Sequence, residues 1–138
     1  MIKNISDQEY EQMISIMEAN DLSRYNIAKE HFYGVKNDKN EIVAFGRIFP
    51  IWPKQSEIWS LRVDEKSRGE KLWLKIMQEL IKDKQWTDDL YLATKNELGQ
   101  YYEKLWFEII TEDIPEKLIH TGIRAKSQGI EFIIMKLK

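Results

Sequence analysis

The sequence predicts an α/β fold in which a mixed β-sheet, α+β in its strand connections, is flanked by helices on both faces. Three observations carry that expectation. Two apolar runs joined by Asn37-Asp38-Lys39-Asn40 read as a β-hairpin. An apolar stripe of Leu72, Trp73, Ile76, Met77, Leu80 and Ile81 has helical spacing. Beyond it, short apolar runs alternate with helical patterns, as in strands joined by crossover helices. The chain has 138 residues, 43% of them hydrophobic and 32% charged, with only three prolines and six glycines. It shows neither repeat nor linker and is expected to form one domain over 1–138.

The elements follow in order. Ser6 and Glu9 have capping-box spacing, and Tyr10, Met13, Ile14 and Met17 continue at helical period to about Asn20. A second, shorter helix is expected from about Ser23 to Glu30. His31–Lys36 and Glu41–Phe49 form the hairpin, Pro50 and Pro53 interrupt the pattern, and Ser56–Val63 is a third strand. Ser67 and Glu70 make a second capping box for a helix over Ser67–Lys84. Leu90–Ala93 is a short strand, and Thr94 and Glu97 are placed to cap a helix ending near Leu105. Phe107–Thr111 reads as a strand, Pro115–Lys126 as loop and helix, and Ile130–Lys138 as the last strand.

Composition narrows the function classes. Twenty-one basic residues against 23 acidic ones give a net charge of −2, without the basic excess of a nucleic-acid binder. The lack of cysteine excludes disulfides, thiolate zinc sites and cysteine nucleophiles, and two histidines do not suggest a metal site. The first residues, Met1-Ile2-Lys3-Asn4-Ile5-Ser6-Asp7, contain no long apolar run. A cytoplasmic protein without signal peptide or membrane span is expected. Glu112, Asp113 and Glu116 read as a solvated acidic loop, Trp52 and Trp59 as packing residues, and His31 as structural.

The chemistry concentrates where a strand feeds a helix. A helix start leaves N–H groups unpaired and carries partial positive charge, which suits phosphate. Here the junction runs Val63-Asp64-Glu65-Lys66-Ser67-Arg68-Gly69-Glu70-Lys71. Gly69 permits close backbone approach, and Arg68 and Lys71 add charge. By itself the segment reads first as an ordinary capped helix.

Asn96-Glu97-Leu98-Gly99-Gln100-Tyr101-Tyr102-Glu103-Lys104-Leu105-Trp106-Phe107 resembles the N-x-x-A-x-x-x-Y-E-K-L-G-F segment of GNAT acyltransferases. Ser56–Val63 resembles that family's central strand before its R-G-x-G-x-G loop. The resemblance implies the GNAT acyl-CoA N-acyltransferase fold and transfer of an acetyl group from acetyl-CoA to a primary amine of a small molecule or peptide. It implies that Leu61, Arg62 and Val63 lie along the pantetheine arm, that Arg68, Gly69, Glu70, Lys71, Leu72 and Trp73 wrap the pyrophosphate, and that Asn96 contacts the cofactor. Tyr102 would protonate the departing CoA thiolate. No metal, nucleic acid or membrane is implied, and the chain would be a monomer or homodimer.

The amine must be neutral to attack, so a base is useful. Glu57 is the candidate, sharing a strand face with Trp59, Leu61 and Val63. The competing readings are a solvated Glu57 at a strand start and a core-packing Tyr102. Three residues depart from the family pattern: Lys71 and Trp73 stand where loop glycines are usual, and Trp106 stands where a glycine closes the helix in a left-handed turn. They leave open a second function, a catalytically inactive GNAT-fold binding module that has lost or altered acetyl-CoA binding.

Overall fold

The computed structural model describes residues 5–19, 28–64, 66, 71–82 and 87–138, with the backbone alone for 60–62. The chain forms two compact units, Met1–Phe49 with Ile58–Trp86, and Pro50–Glu57 with Thr87–Lys138.

The first unit opens with α1, Asp7–Ala19. Its start is the reciprocal box expected from the sequence: Ser6 N donates to Glu9 Oε1 at 2.9 Å, and Glu9 N donates to Ser6 Oγ at 3.1 Å. Met13 and Met17 enter a core with Ile5, Phe32 and Phe45, and Tyr10 and Ile14 pack against it. The expected second helix falls largely outside the described residues; Lys29–His31 forms one 3-10 turn, and strand β1, Phe32–Lys36, follows it. The hairpin turn is locked by Asn37, whose side-chain oxygen accepts from the N–H groups of Lys39 and Glu41, both at 3.0 Å.

Strand β2 runs Ile42–Trp52, through Pro50. Proline was expected to interrupt the strand here. Its fixed φ is compatible with extended backbone, and its missing N–H matters only where a ladder needs a donor. The break comes at Pro53 instead, in a turn completed by Lys54 at φ 63°. Strand β3 is Gln55–Val63. Residues 32–35 and 43–49 are buried without alternation, as strands are when both sheet faces are covered. Phe32 and Phe45 meet α1 on one face, and helix α2, Leu72–Lys82, also packs against β1.

The second unit holds β4 (Asp89–Lys95), α3 (Gly99–Glu103), β5 (Phe107–Ile109), α4 (Glu116–Ser127) and β6 (Phe132–Leu137). Strand order is β1-β2-β3-β4-β6-β5. The β3–β4 ladder is parallel, whereas β1–β2, β4–β6 and β5–β6 are antiparallel, so the sheet is mixed as predicted. Thr94 does not cap a helix: it lies buried within β4, and the 3-10 turn Asn96–Leu98 starts after Lys95 without a side-chain cap. Among the described residues no helix is long and apolar enough to cross a membrane.

Three stability outcomes follow from these contacts. Trp106 adopts φ 72° and is 70% exposed, so Trp106→Gly relieves a left-handed strain while losing little buried surface. Chemical denaturation should show it stabilised by about 1 kcal/mol. Ser56 and Thr87 share a buried hydroxyl–hydroxyl hydrogen bond of 2.8 Å. Ser56→Ala strands the Thr87 hydroxyl and should cost about 1–2 kcal/mol in the same assay. The Glu9 carboxyl is held down at about 2 by its bond to Lys36, helped by Ser6. Its folded value lies below the unfolded one near 4.5, so its contribution is complete above pH 4.5 and fades as pH falls toward 2. Melting curves of Glu9→Gln should lie below wild type at pH 7, and the gap should close progressively below pH 4.5.

Candidate active site

Within the second unit, β3 and β4 pair over three positions: Gln55 with Asp89, Ser56 with Leu90, and Glu57 with Tyr91. β4 runs on to Lys95, beyond the end of that ladder. Residues in register on neighbouring strands point to the same face, so Glu57 and Tyr91 share one face and Ser56 points to the other.

Glu57 is 1% exposed, which overturns the solvated alternative. Its Oε1 accepts a hydrogen bond from Lys117 Nζ at 2.7 Å, and the Lys117 side chain is 17% exposed. Lys117 comes from the first turn of α4. That helix is set by Pro115, whose carbonyl accepts from Leu118 N at 2.9 Å and Ile119 N at 3.1 Å. The next residue, Leu118, is fully buried with Tyr91 and Ile134, which seats α4 on the face that carries Glu57. Thr121 Oγ1 donates to the Lys117 carbonyl at 3.1 Å. Burial pushes the Tyr91 phenol up, reinforced by the Asp89 carboxylate. Asp89 in turn pairs with Lys136 at 3.2 Å, and that bond raises the ammonium above its usual range.

Tyr102 sits on α3, half-buried, its ring edge-on to Phe107 with centroids 6.3 Å apart. Gly99 explains how α3 reaches the sheet, because a Cβ there would lie 2.7 Å from Ile133 Cδ1. Ile133 and Ile134 are adjacent on β6 and point to opposite faces, so α3 lies across the sheet layer from α4. The two candidate catalytic residues therefore project from opposite faces of this unit. Asn96 is exposed in the 3-10 turn that ends β4.

In the first unit, the predicted continuous helix from Ser67 is corrected at Lys71. Lys71 takes φ 59°, outside helical space, and α2 starts at Leu72. The Lys71 carbonyl accepts the first helical bond, from Lys75 N at 3.2 Å. Arg68, Gly69 and Glu70, with Ser67, lie outside the described residues. Leu72 is buried and so offers a ligand only its backbone, while Trp73 is half-buried on the first helical turn. Val63 ends β3; for Leu61 and Arg62 the extended backbone is described and the side chains lie outside the description.

Two residues escaped the sequence reading. Arg47 is fully buried, its guanidinium 4.7 Å from the Phe49 ring, 5.7 Å from Trp59 and 5.9 Å from Phe32. The available signal was a single charge inside the apolar run of β2. Lys117 carried no comparable signal, since lysine on the first turn of a surface helix is ordinary. Among the described residues no group of three or more His, Asp or Glu side chains gathers to hold a metal.

The architecture has clear counterparts. Rv2747 from Mycobacterium tuberculosis, solved in complex with CoA and NLQ, superposes with a TM-score of 0.78 at 12% identity over 99% of this chain and 98% of that one. N-acetylglutamate synthase from Neisseria gonorrhoeae, complexed with coenzyme A and N-acetyl-glutamate, gives 0.73 at 14% identity over 99% of this chain but only 34% of its own length. Escherichia coli ElaA gives 0.72 at 19% identity over 97% and 93%. At these identities the likeness is one of fold. No curated protein matches by sequence. The family model for the acetyltransferase (GNAT) family matches residues 2–107, most of the chain, and the chain belongs to that family.

Proposed function

We propose that this protein is an N-acetyltransferase that moves an acetyl group from acetyl-CoA to a primary amine of a small molecule or peptide by direct attack. The observation that carries the reading is the Glu57 carboxylate, buried at the end of the three-pair parallel ladder in a chain of the acetyltransferase family. Past Tyr91, the edge of β4 continues beyond that ladder, and such an edge suits the amide groups of an extended ligand.

The residues present fit acetyl-CoA at the point where the sequence departs most. Lys71 stands where the family pattern has a loop glycine and adopts a left-handed backbone, a conformation readily open to glycine. The first turn of α2 and the Lys71 ammonium favour an anion such as a pyrophosphate. Val63 and the backbone of Leu61 continue the extended β3 for the pantetheine arm, and Asn96 is exposed for a polar contact. When bound, acetyl-CoA supplies a thioester carbonyl for the amine and a thiolate that leaves. Glu57 takes a proton from the incoming ammonium at its carboxylate. Tyr102 holds a phenolic proton at Oη for the departing sulfur.

A half-buried Trp73 on the first turn of α2, where a glycine is usual, favours the alternative of an inactive binding module. Isothermal titration of acetyl-CoA separates the two. Micromolar binding is expected, and no binding at millimolar cofactor points to the inactive module. In an amine-acceptor assay, Tyr102→Phe should lower kcat by about 100-fold with unchanged CoA affinity. An unaltered rate in that variant removes Tyr102 from the mechanism.

A further inference from the structure

Helix α4 turns Leu118 and Ala125 inward, with Leu118 seated against Tyr91 and Ile134. Its outer face is not the purely polar stripe that a solvated helix usually shows. Ile119 is 45% exposed and Ile123, one turn further on, 61%. Residues four apart on a helix are neighbours, so the two side chains form one apolar ridge. Gly122 lies one turn from both Ile119 and Lys126. A Cβ added there would meet nothing within 4 Å, so this glycine does not serve packing inside its own chain. Glycine within a helix disfavours the helix relative to alanine, and what it offers in return is close approach by another group.

The charges of α4 are sorted by end. Glu116 stands in its first turn, just after Glu112 and Asp113, and Arg124 and Lys126 stand in its last. Glu116, Ile119, Ile123 and Lys126 follow one another at spacings of 3, 4 and 3 residues. That spacing places all four on one side of the helix. The stripe reads acid, isoleucine, isoleucine, base, and its spacing is the same in both directions.

We propose that this face of α4 binds α4 of a second copy of the chain, the two helices antiparallel across a twofold axis near Thr121. Position 121 is the midpoint of both pairs, so Ile119 of each copy meets Ile123 of the other, and Glu116 of each meets Lys126 of the other. A twofold interface uses one patch on both subunits and therefore needs a pattern that complements its own reversal. The stripe has that property. The antiparallel arrangement also sets the positive start of each helix against the negative end of its neighbour. Glu116 lies 3.6 Å from His120 on its own helix, and at 89% exposure its side chain keeps room for a further partner. One helix face buries less than the ~800 Å² per partner of a standard interface, so the dimer is weak and concentration-dependent. The inference does not depend on the acyl-transfer reading.

Sedimentation equilibrium of the full chain at low salt, from about 10 µM to about 1 mM, should show monomer passing into dimer. Ile119→Gln and Ile123→Gln should each weaken association by about tenfold or more. Glu116→Lys and Lys126→Glu each set like charges against each other twice and should weaken it by about tenfold, whereas the double variant restores opposite charges and should return toward wild type. Circular dichroism checks that every variant is folded. Since the chain has no cysteine, Ile119→Cys mixed with Ile123→Cys reads the register directly, and the mixed disulfide should exceed both like-with-like products. A chain that stays monomeric at about 1 mM overturns the proposal and leaves the face to another kind of partner. A dimer that ignores the isoleucine changes overturns it as well, because another surface then holds the copies together. A double charge variant that is folded yet no tighter than the single ones, or a predominance of like-with-like disulfides, overturns the antiparallel pairing.

Discussion

Removing a carboxylate from water costs several kcal/mol unless a matched charge and good hydrogen bonds offset it. Glu57 imposes that constraint on the second unit, and much of the local architecture answers it. Its partner Lys117 must arrive on the correct face, which requires α4 to begin there. Leu118 seats the helix against Tyr91 and Ile134, and Ile134 is in place because β6 pairs with β4 from Tyr91 to Lys95. Ser56, adjacent to Glu57 but facing the other way, is tied to Thr87, so the short parallel ladder is braced from behind. A charge on one strand thus organises a helix many residues further along the chain.

Two of the non-glycine residues that hold left-handed backbone are Lys71 and Trp106, at φ 59° and 72°. The carbonyl of each accepts a backbone hydrogen bond: Lys75 N donates to that of Lys71, and Lys138 N to that of Trp106. Both side chains are exposed, so the cost is the left-handed backbone, about 1 kcal/mol each, and not a clash. In the first unit, Arg47 makes the complementary point about charge. A guanidinium is planar and weakly hydrated, so it can be buried among the rings of Phe32, Phe49 and Trp59 where an ammonium would be less tolerated.

What the sequence by itself determined lies in local period and turn chemistry at a few places. Ser6 and Glu9 define the start of α1, Asn37 defines the hairpin, and the stripe from Leu72 to Leu80 defines the buried face of α2, because each depends on residues a few positions apart. Where local signals conflicted, the tertiary structure decided. β2 absorbs Pro50 because proline's fixed φ is compatible with extended backbone, and Thr94 stays in β4, paired with Ile133, rather than capping a helix. The site needed the structure most. Glu57 could be named as a carboxylate on the right strand, but its burial, its lysine and its position across the sheet from Tyr102 arise from contacts between residues far apart in the chain. Sequence periodicity records which face a residue occupies; only packing decides which distant charge meets it there.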